Sequence, residues 1–203
     1  MRTTESEIHR LRHSYPRCKF LCFEPSPHWY KQVAQNFRAV GYVERRELAL
    51  SESSGTATFY ELPLGGKWLS SSPDRTKWSA FNQIKDNEVK SFEVKMSTLD
   101  KEAEDLNKID LRWIDVQGAE DRALKGGNKT LPRVAAVFLE ATLVDSPYQG
   151  TLLFAELDPI PSGFGFLCVG LGQTAWNYSG NALWIRDAAR RALFRKANSK
   201  QTV

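Results

Sequence analysis

Cysteine, methionine and long apolar runs are what this sequence has least of, with three cysteines and two methionines in 203 residues. Cys18 and Cys22 share one strand-like segment and Cys168 lies on another, so neither a zinc spacing nor a disulfide framework emerges, and buried reduced thiols are expected. No stretch approaches the roughly 18 to 20 apolar residues of a membrane-spanning helix, and the first 25 residues open polar and charged, unlike a secretory core. A cytoplasmic protein with no membrane partner is expected. Excess charge is scarce too: 28 Lys and Arg against 24 Asp and Glu leave a net +4, whereas nucleic-acid binding gathers basic residues on one face. The one such gathering is C-terminal, where Arg186, Arg190, Arg191, Arg195, Lys196 and Lys200 interleave with small and apolar residues. It reads as a solvated last helix with a frayed tail, the other reading being a basic amphipathic helix.

What is present is an ordinary globular composition, 41% hydrophobic and 26% charged, enough for one α/β domain around a buried core. We assign residues 1–186 to a single domain and 187–203 to the basic helix or tail. Helical spacing is read over Thr4 to Tyr15, ended by Pro16, and over Trp29 to Val40, ended by Gly41. His9 and His13 have the i, i+4 spacing of a metal clamp, but no third ligand accompanies them, so solvent-facing histidines and no metal are expected. Strands are read at Lys19 to Glu24, Arg46 to Leu50, Ala57 to Leu62, Glu88 to Met96, Leu111 to Val116, Val134 to Glu140, Gly165 to Val169 and Ala182 to Arg186. The Ser51 to Gly55 turn suits a hairpin between the second and third of these. Helices are predicted at Leu99 to Leu106, Ala119 to Gly126 and Tyr148 to Leu157, and little regular structure from Pro63 to Asn87. Strands alternating with helices predict a largely parallel sheet covered on both faces.

In such a sheet, ligands bind beyond the carboxyl ends of the strands. Glu24, Asp115 and Glu140 fall there. A carboxylate after a strand of a nucleotide-binding unit matches the two hydroxyls of a ribose, which makes Glu24 the leading cofactor residue. In Trp113 to Glu120 an acid at the strand tip is followed by Gly118, free to turn closely, and by Glu120 at the positive end of a helix. An acid there also serves as a helix cap, so the pattern alone leaves both readings open.

The ordered string Phe23-Glu24-Pro25-Ser26-Pro27, Leu48-Ala49-Leu50-Ser51 with Ser54-Gly55-Thr56-Ala57, Ser97-Thr98-Leu99-Asp100, and Ile114-Asp115-Val116-Gln117-Gly118-Ala119-Glu120 with Leu124-Lys125-Gly126 resembles the FkbM family of S-adenosylmethionine-dependent O-methyltransferases, from Arg17 to Arg186. The resemblance implies a class I methyltransferase-like, Rossmann-like fold and transfer of a methyl group from S-adenosyl-L-methionine to a hydroxyl of a small molecule or carbohydrate. It implies that Glu24 and Pro25 hold the ribose, that Ala49, Leu50 and Ser51 border the adenine, and that Asp115, Gln117 and Gly118 line the methionine and acceptor side. Asp115 is then the candidate to orient or deprotonate the acceptor, with Glu140 second and His28 a third that no pattern pairs with either acid. The polar segment around Trp68, Ser70, Ser71 and Ser72 reads either as a loop closing over the acceptor or as surface.

Two departures accompany the resemblance. No strand with a glycine-rich turn precedes the first helix, so the first strand is expected to be missing, a central slot of the sheet unfilled, and cofactor binding weak or absent in this chain. Trp113 stands where many relatives carry lysine. The reading of a different class is a non-catalytic binding module that keeps the fold. A nucleic-acid methyltransferase is disfavoured because no Asn/Asp-Pro-Pro-aromatic segment is present to clamp a flipped base. The oligomeric state is not legible.

Overall fold

The computed structural model describes residues 3–64, 67–72, 89–144, 150–174 and 178–187. Along the chain these form α1 (Thr3–Ser14), β1 (Phe20–Phe23), α2 (Pro27–Asn36), β2 (Val43–Arg46), β3 (Ala49–Leu50), β4 (Gly55–Leu64), β5 (Lys67–Ser72), β6 (Lys90–Ser97), α3 (Leu99–Glu102), β7 (Ile109–Ile114), α4 (Glu120–Lys125), β8 (Val134–Thr142), α5 (Phe154–Leu157), α6 (Pro159–Gly163), β9 (Phe166–Gln173) and β10 (Ser179–Arg186). The architecture is α/β. Expectations for residues 188–203 and for 73–87 lie outside the described residues.

The described strands form three sheets, ordered β1-β2, β7-β8-β10-β9 and β3-β6-β4-β5. A mostly parallel sheet is not what forms. Only β1/β2, β3/β6 and β7/β8 pair in parallel, while β4/β5, β4/β6, β8/β10 and β9/β10 are antiparallel. Connection length explains part of this: parallel neighbours need a crossover of about a dozen residues or more. The links from β4 to β5 and from β9 to β10 are far shorter, so those strands turn straight back.

Further expectations are corrected. The Ser51 to Gly55 turn does not close a hairpin; β3 and β4 both pair with β6, Ala49 and Gly55 each lying opposite Met96. Part of the stretch expected to be irregular is β5, with Ser71 opposite Glu61 and Trp68 opposite Pro63, so Trp68 and Ser70 to Ser72 belong to a paired strand rather than a loop. The helix expected to reach Leu106 stops at Glu102, and α5 is a single turn that begins at Phe154. Cys168 is exposed and Cys18 and Cys22 are half-buried, all three free, in place of the buried thiols expected.

The largest core lies on one face of β7-β8-β10-β9. Ile114, Val137, Leu139, Ala182 and Trp184 meet Ala123 and Leu124 of α4, Leu157 of α5 and Phe166 there. Burial of this many large apolar side chains, at about 1.5 to 3 kcal/mol each, is the main favourable term for this half of the molecule. The Trp184 indole donates to Asp158 at 2.7 Å, so its one polar atom is satisfied. On the opposite face Trp113 packs edge-on to Phe138, ring centres 4.6 Å apart, and remains 41% exposed, which makes it a surface aromatic rather than core. A second core joins Ile8 of α1, Phe37 at the end of α2, and Val43 of β2. Here Ser26 caps α2, with Pro27 entering its first turn, where a missing N–H costs nothing.

Polar ties hold the sheets to one another. Arg46 of β2 donates to both the carboxylate and the backbone carbonyl of Glu102, whose other oxygen accepts from the Ser97 hydroxyl at 2.6 Å. Asp100 accepts from the backbone N–H of Lys129 and Thr130 and from the Thr130 hydroxyl, at 3.0, 2.7 and 2.7 Å, which ties the turn after α4 to the start of α3. Gly126 presses its Cα face against the Ser51 carbonyl, leaving no room for a Cβ. The Leu-Lys-Gly motif and the Ala-Leu-Ser motif are therefore two sides of one backbone contact.

Asp100→Ala removes three acceptor contacts and strands two backbone donors, so urea unfolding is expected to show a loss of about 2 to 4 kcal/mol. Gly126→Ala must displace Ser51 and is expected to cost as much or more, whereas Gly163→Ala, with open space around it, is expected to stay within about 1 kcal/mol of the parent.

Candidate functional site

The tip of β7 is shaped by two successive positive φ angles, 55° at Gln117 and 102° at Gly118. Glycine adopts this freely; glutamine does so at a cost that the surrounding bonds must hold. The holding group is Glu120, 6% exposed, whose Oε1 accepts from the backbone N–H of Val116 at 3.2 Å and of Gly118 at 3.3 Å. Sequence reasoning placed Glu120 at the helix start for its charge; its structural work is to clamp the turn that presents Asp115. Ala119 at the helix N-cap gives no side-chain bond, which leaves that task to Glu120.

Asp115 follows the last residue of β7, solvent-exposed on one side, and accepts from the Gln117 amide at 2.5 Å. Its carboxyl lies above the ordinary range, first through desolvation by the protein mass around it, with the Gln117 bond opposing. Glu140 is not at the end of β8, as expected, but two residues inside it. Its Oε1 accepts from the Ser179 hydroxyl at 2.6 Å, and its pKa is raised, first by desolvation and then by the Asp115 charge. Between the two tips lies a pocket lined by Gln117, Gly118, Glu120, Glu140, Thr142, Tyr178 and Ser179. Tyr178, Thr142 and Ser179 carried no sequence signal, because they come from a strand pairing set by long-range register: Ser179 lies opposite Thr142.

Glu24 follows β1 and is 6% exposed. Its Oε1 accepts from the Ser26 backbone N–H at 2.9 Å. Burial lifts its pKa to about 7, opposed by the Ser26 bond, with Glu61 and Asp115 adding repulsion. β1 and β7 pair with β2 and β8 respectively and belong to separate sheets. The charges of Glu24 and Asp115 nevertheless act on each other. Asp115 also raises Glu7, Glu120, Glu140 and Tyr178, in each case after desolvation. Thus the structure brings Glu24, Asp115, Gln117, Gly118 and Glu140 into one neighbourhood, with Pro25 beside Glu24 in the chain.

The remaining candidates are held by contacts of their own. Ala49 packs with Phe59 and Val94 in a separate small core, and Leu50 packs against the large core. Ser51 is buried, its N–H donating to Ser97 at 2.9 Å. His28 is exposed, its ring edge-on to Trp29 at 4.9 Å, and no contact brings it to either acid. His9 lies against Phe37, and among the described residues no three His, Cys, Asp or Glu side chains gather as a metal site would need.

An acid raised to about 7 binds its proton more tightly folded than unfolded, where 4.5 is ordinary. Glu24 and Glu120 therefore favour the fold at low pH, and that contribution is lost as pH rises from about 4.5 through about 7. Thermal unfolding is expected to show the midpoint falling from pH 5 to pH 8. Glu24→Gln and Glu120→Gln should each flatten the profile, by up to roughly 3 kcal/mol at the alkaline end.

Comparison with known proteins identifies the family. The family model described as Methyltransferase FkbM domain matches residues 4–168. The chain is 29% identical over 168 residues to the 2-O-methyltransferase NoeI of Sinorhizobium fredii (strain NBRC 101917 / NGR234), covering 77% of this chain and 67% of NoeI. Its fold is similar to the crystal structure of methyltransferase FkbM from Methylobacillus flagellatus KT, with a TM-score of 0.55 at 11% identity. That match covers 88% of this chain and 40% of the other, so the chain spans well under half of that neighbour's length.

Proposed function

We propose, from the premise that this chain belongs to the methyltransferase FkbM domain family, that it is a methyltransferase domain using S-adenosyl-L-methionine to methylate a hydroxyl of a small molecule or carbohydrate. The observation that carries the reading is electrostatic. Glu24 and Asp115, at the tips of separate sheets, share one field with Glu7, Glu120 and Glu140. Like charges gathered and desolvated in this way are costly alone and are relieved by a cation. The donor's sulfonium is such a cation, and when bound it supplies an electrophilic methyl group.

The residues present fit that donor. Glu24 commits Oε1 to the Ser26 N–H, which fixes the carboxylate while Oε2 stays available to accept from ribose hydroxyls. The β7 tip, held open by Glu120, exposes Asp115 beside the polar pocket. Asp115 accepts the hydroxyl proton of the acceptor, and its raised pKa brings it toward the range where a carboxylate serves as a base. Glu140, steadied by Ser179, accepts a neighbouring hydroxyl and orients the acceptor. The small polar pocket supports a small, hydroxyl-bearing acceptor. NoeI, by its name, methylates at a 2-O position, which supports a hydroxyl acceptor here.

Calorimetric titration with S-adenosylhomocysteine, carried to millimolar concentrations, tests the donor site. Glu24→Gln is expected to weaken binding at least about tenfold, a loss of about 1.4 kcal/mol or more. Asp115→Asn is expected to leave that affinity within a few-fold while lowering methyl transfer in a hydroxyl-acceptor screen by about 10²-fold or more. Equal affinity of Glu24→Gln and the parent would sink the assignment of the donor site.

A further inference from the structure

We propose that Glu61 is a positioning residue for Glu24, acting through Ser26, so that β4 as well as β1 sets the geometry of the ribose-binding carboxylate. The inference rests on the reading of Glu24 as a donor-site residue. Ser26 is fully buried, at 0% exposure, and Glu61 is 6% exposed. The Ser26 hydroxyl donates to Glu61 Oε1, its oxygen accepts from the Trp29 N–H at 3.4 Å, and its own backbone N–H donates to Glu24 Oε1 at 2.9 Å. One residue thus caps α2, grips a carboxylate on a strand 35 residues away and holds the donor-site carboxylate.

The anchor is rigid. Glu61 lies in the middle of the sheet, opposite Lys90 of β6 on one side and Ser71 of β5 on the other. A displacement of Ser26 would have to break that grip, and Glu24 turns with Ser26 because the two are bonded across a two-residue span. A neutral acceptor would also fix the Ser26 hydroxyl, though less strongly. A carboxylate adds a second charge facing Glu24, from β4, beside that of Asp115 from the β7 tip. Its charge and the Asp115 charge both push Glu24 toward neutral titration. The consequence is a carboxylate fixed in place, whose readiness to accept hydroxyl donors changes with pH.

Four forms of the full chain, parent, Glu24→Gln, Glu61→Ala and Glu61→Gln, titrated with S-adenosylhomocysteine from pH 5.5 to 8.5, decide the matter, with circular dichroism as the fold control. Parent affinity is expected to rise with pH through about 7 as Glu24 ionises. Glu61→Ala, lacking an acceptor for Ser26, should bind about tenfold more weakly. Glu61→Gln keeps the acceptor and should return affinity at pH 8.5 to within about threefold of the parent. It should also move the midpoint of the pH profile downward by about half a unit or more, because one repulsive charge is gone. A purely structural Glu61 would change stability and leave that midpoint in place. Weakened Glu24→Gln beside a Glu61→Ala with parental affinity and midpoint overturns the role of Glu61 alone. Should Glu61→Ala fail to fold, an unmoved midpoint in folded Glu61→Gln does the same. A parent that does not bind, or a Glu24→Gln that binds like the parent, overturns the reading of Glu24 and this inference with it.

Discussion

Three turns that follow strands or short helices in this chain are held by carboxylates that accept backbone N–H groups. Glu24 holds Ser26, Glu120 holds Val116 and Gly118, and Asp100 holds Lys129 and Thr130. The elements here are short, several of them single turns or strands of four residues, so many backbone donors fall outside ladders and helices and must find other partners. Charge-assisted bonds to a carboxylate are the strongest available answer. The packing of α4 on the main sheet and the seating of Ser51 on Gly126 both presuppose that these turns keep their shape.

This device separates acids that a sequence pattern treats alike. Glu120 spends its bonding capacity on the turn, so its part in the site is indirect. Among the described residues, Asp115 and Glu140 accept from the side chains of Gln117 and Ser179. A side-chain donor can swing aside for a ligand, whereas a backbone donor cannot without moving the fold. Asp115 and Glu140 are thereby the acids most open to exchange partners, whereas Glu24 commits Oε1 to a backbone donor.

Which parts of this were legible follows from the range of the interaction that sets them. The Phe-Glu-Pro-Ser-Pro and Ile-Asp-Val-Gln-Gly strings place their acids at strand tips by local chemistry alone, through a strand end, a turn-forming residue and a helix start within eight positions. The family resemblance those strings carried agrees with the family model over residues 4–168. Strand direction is set by pairings: β4 turns straight back into β5, which falls within the stretch expected to have little regular structure, and β9 turns straight back into β10. Glu61 carries no local signal, since its partner Ser26 is distant in sequence. Tyr178 and Ser179 sat in a turn-rich stretch whose approach to Glu140 exists only once β10 is registered on β8. Ala49 and Leu50, although part of a motif, pack into apolar clusters that only the long-range fold assembles.

The same electrostatics link stability to ligand preference. A cluster of desolvated acids lowers the stability of the ligand-free fold near neutral pH, which the main core and the Arg186 tie, donating to the carbonyls of Val134, Phe164 and Leu131, offset. Whatever neutralises the cluster recovers part of that cost as binding energy. A ligand that is cationic near Asp115 and rich in hydroxyls near Glu24 recovers the most, since it answers both the field and the open acceptor oxygen. An anionic ligand would have to overcome the field at the same place. On the proposed function, the field of the acids favours a positively charged donor before it binds, and a neutral, hydroxyl-bearing acceptor would meet the side-chain donors and acceptors of Glu140, Ser179, Thr142 and Tyr178.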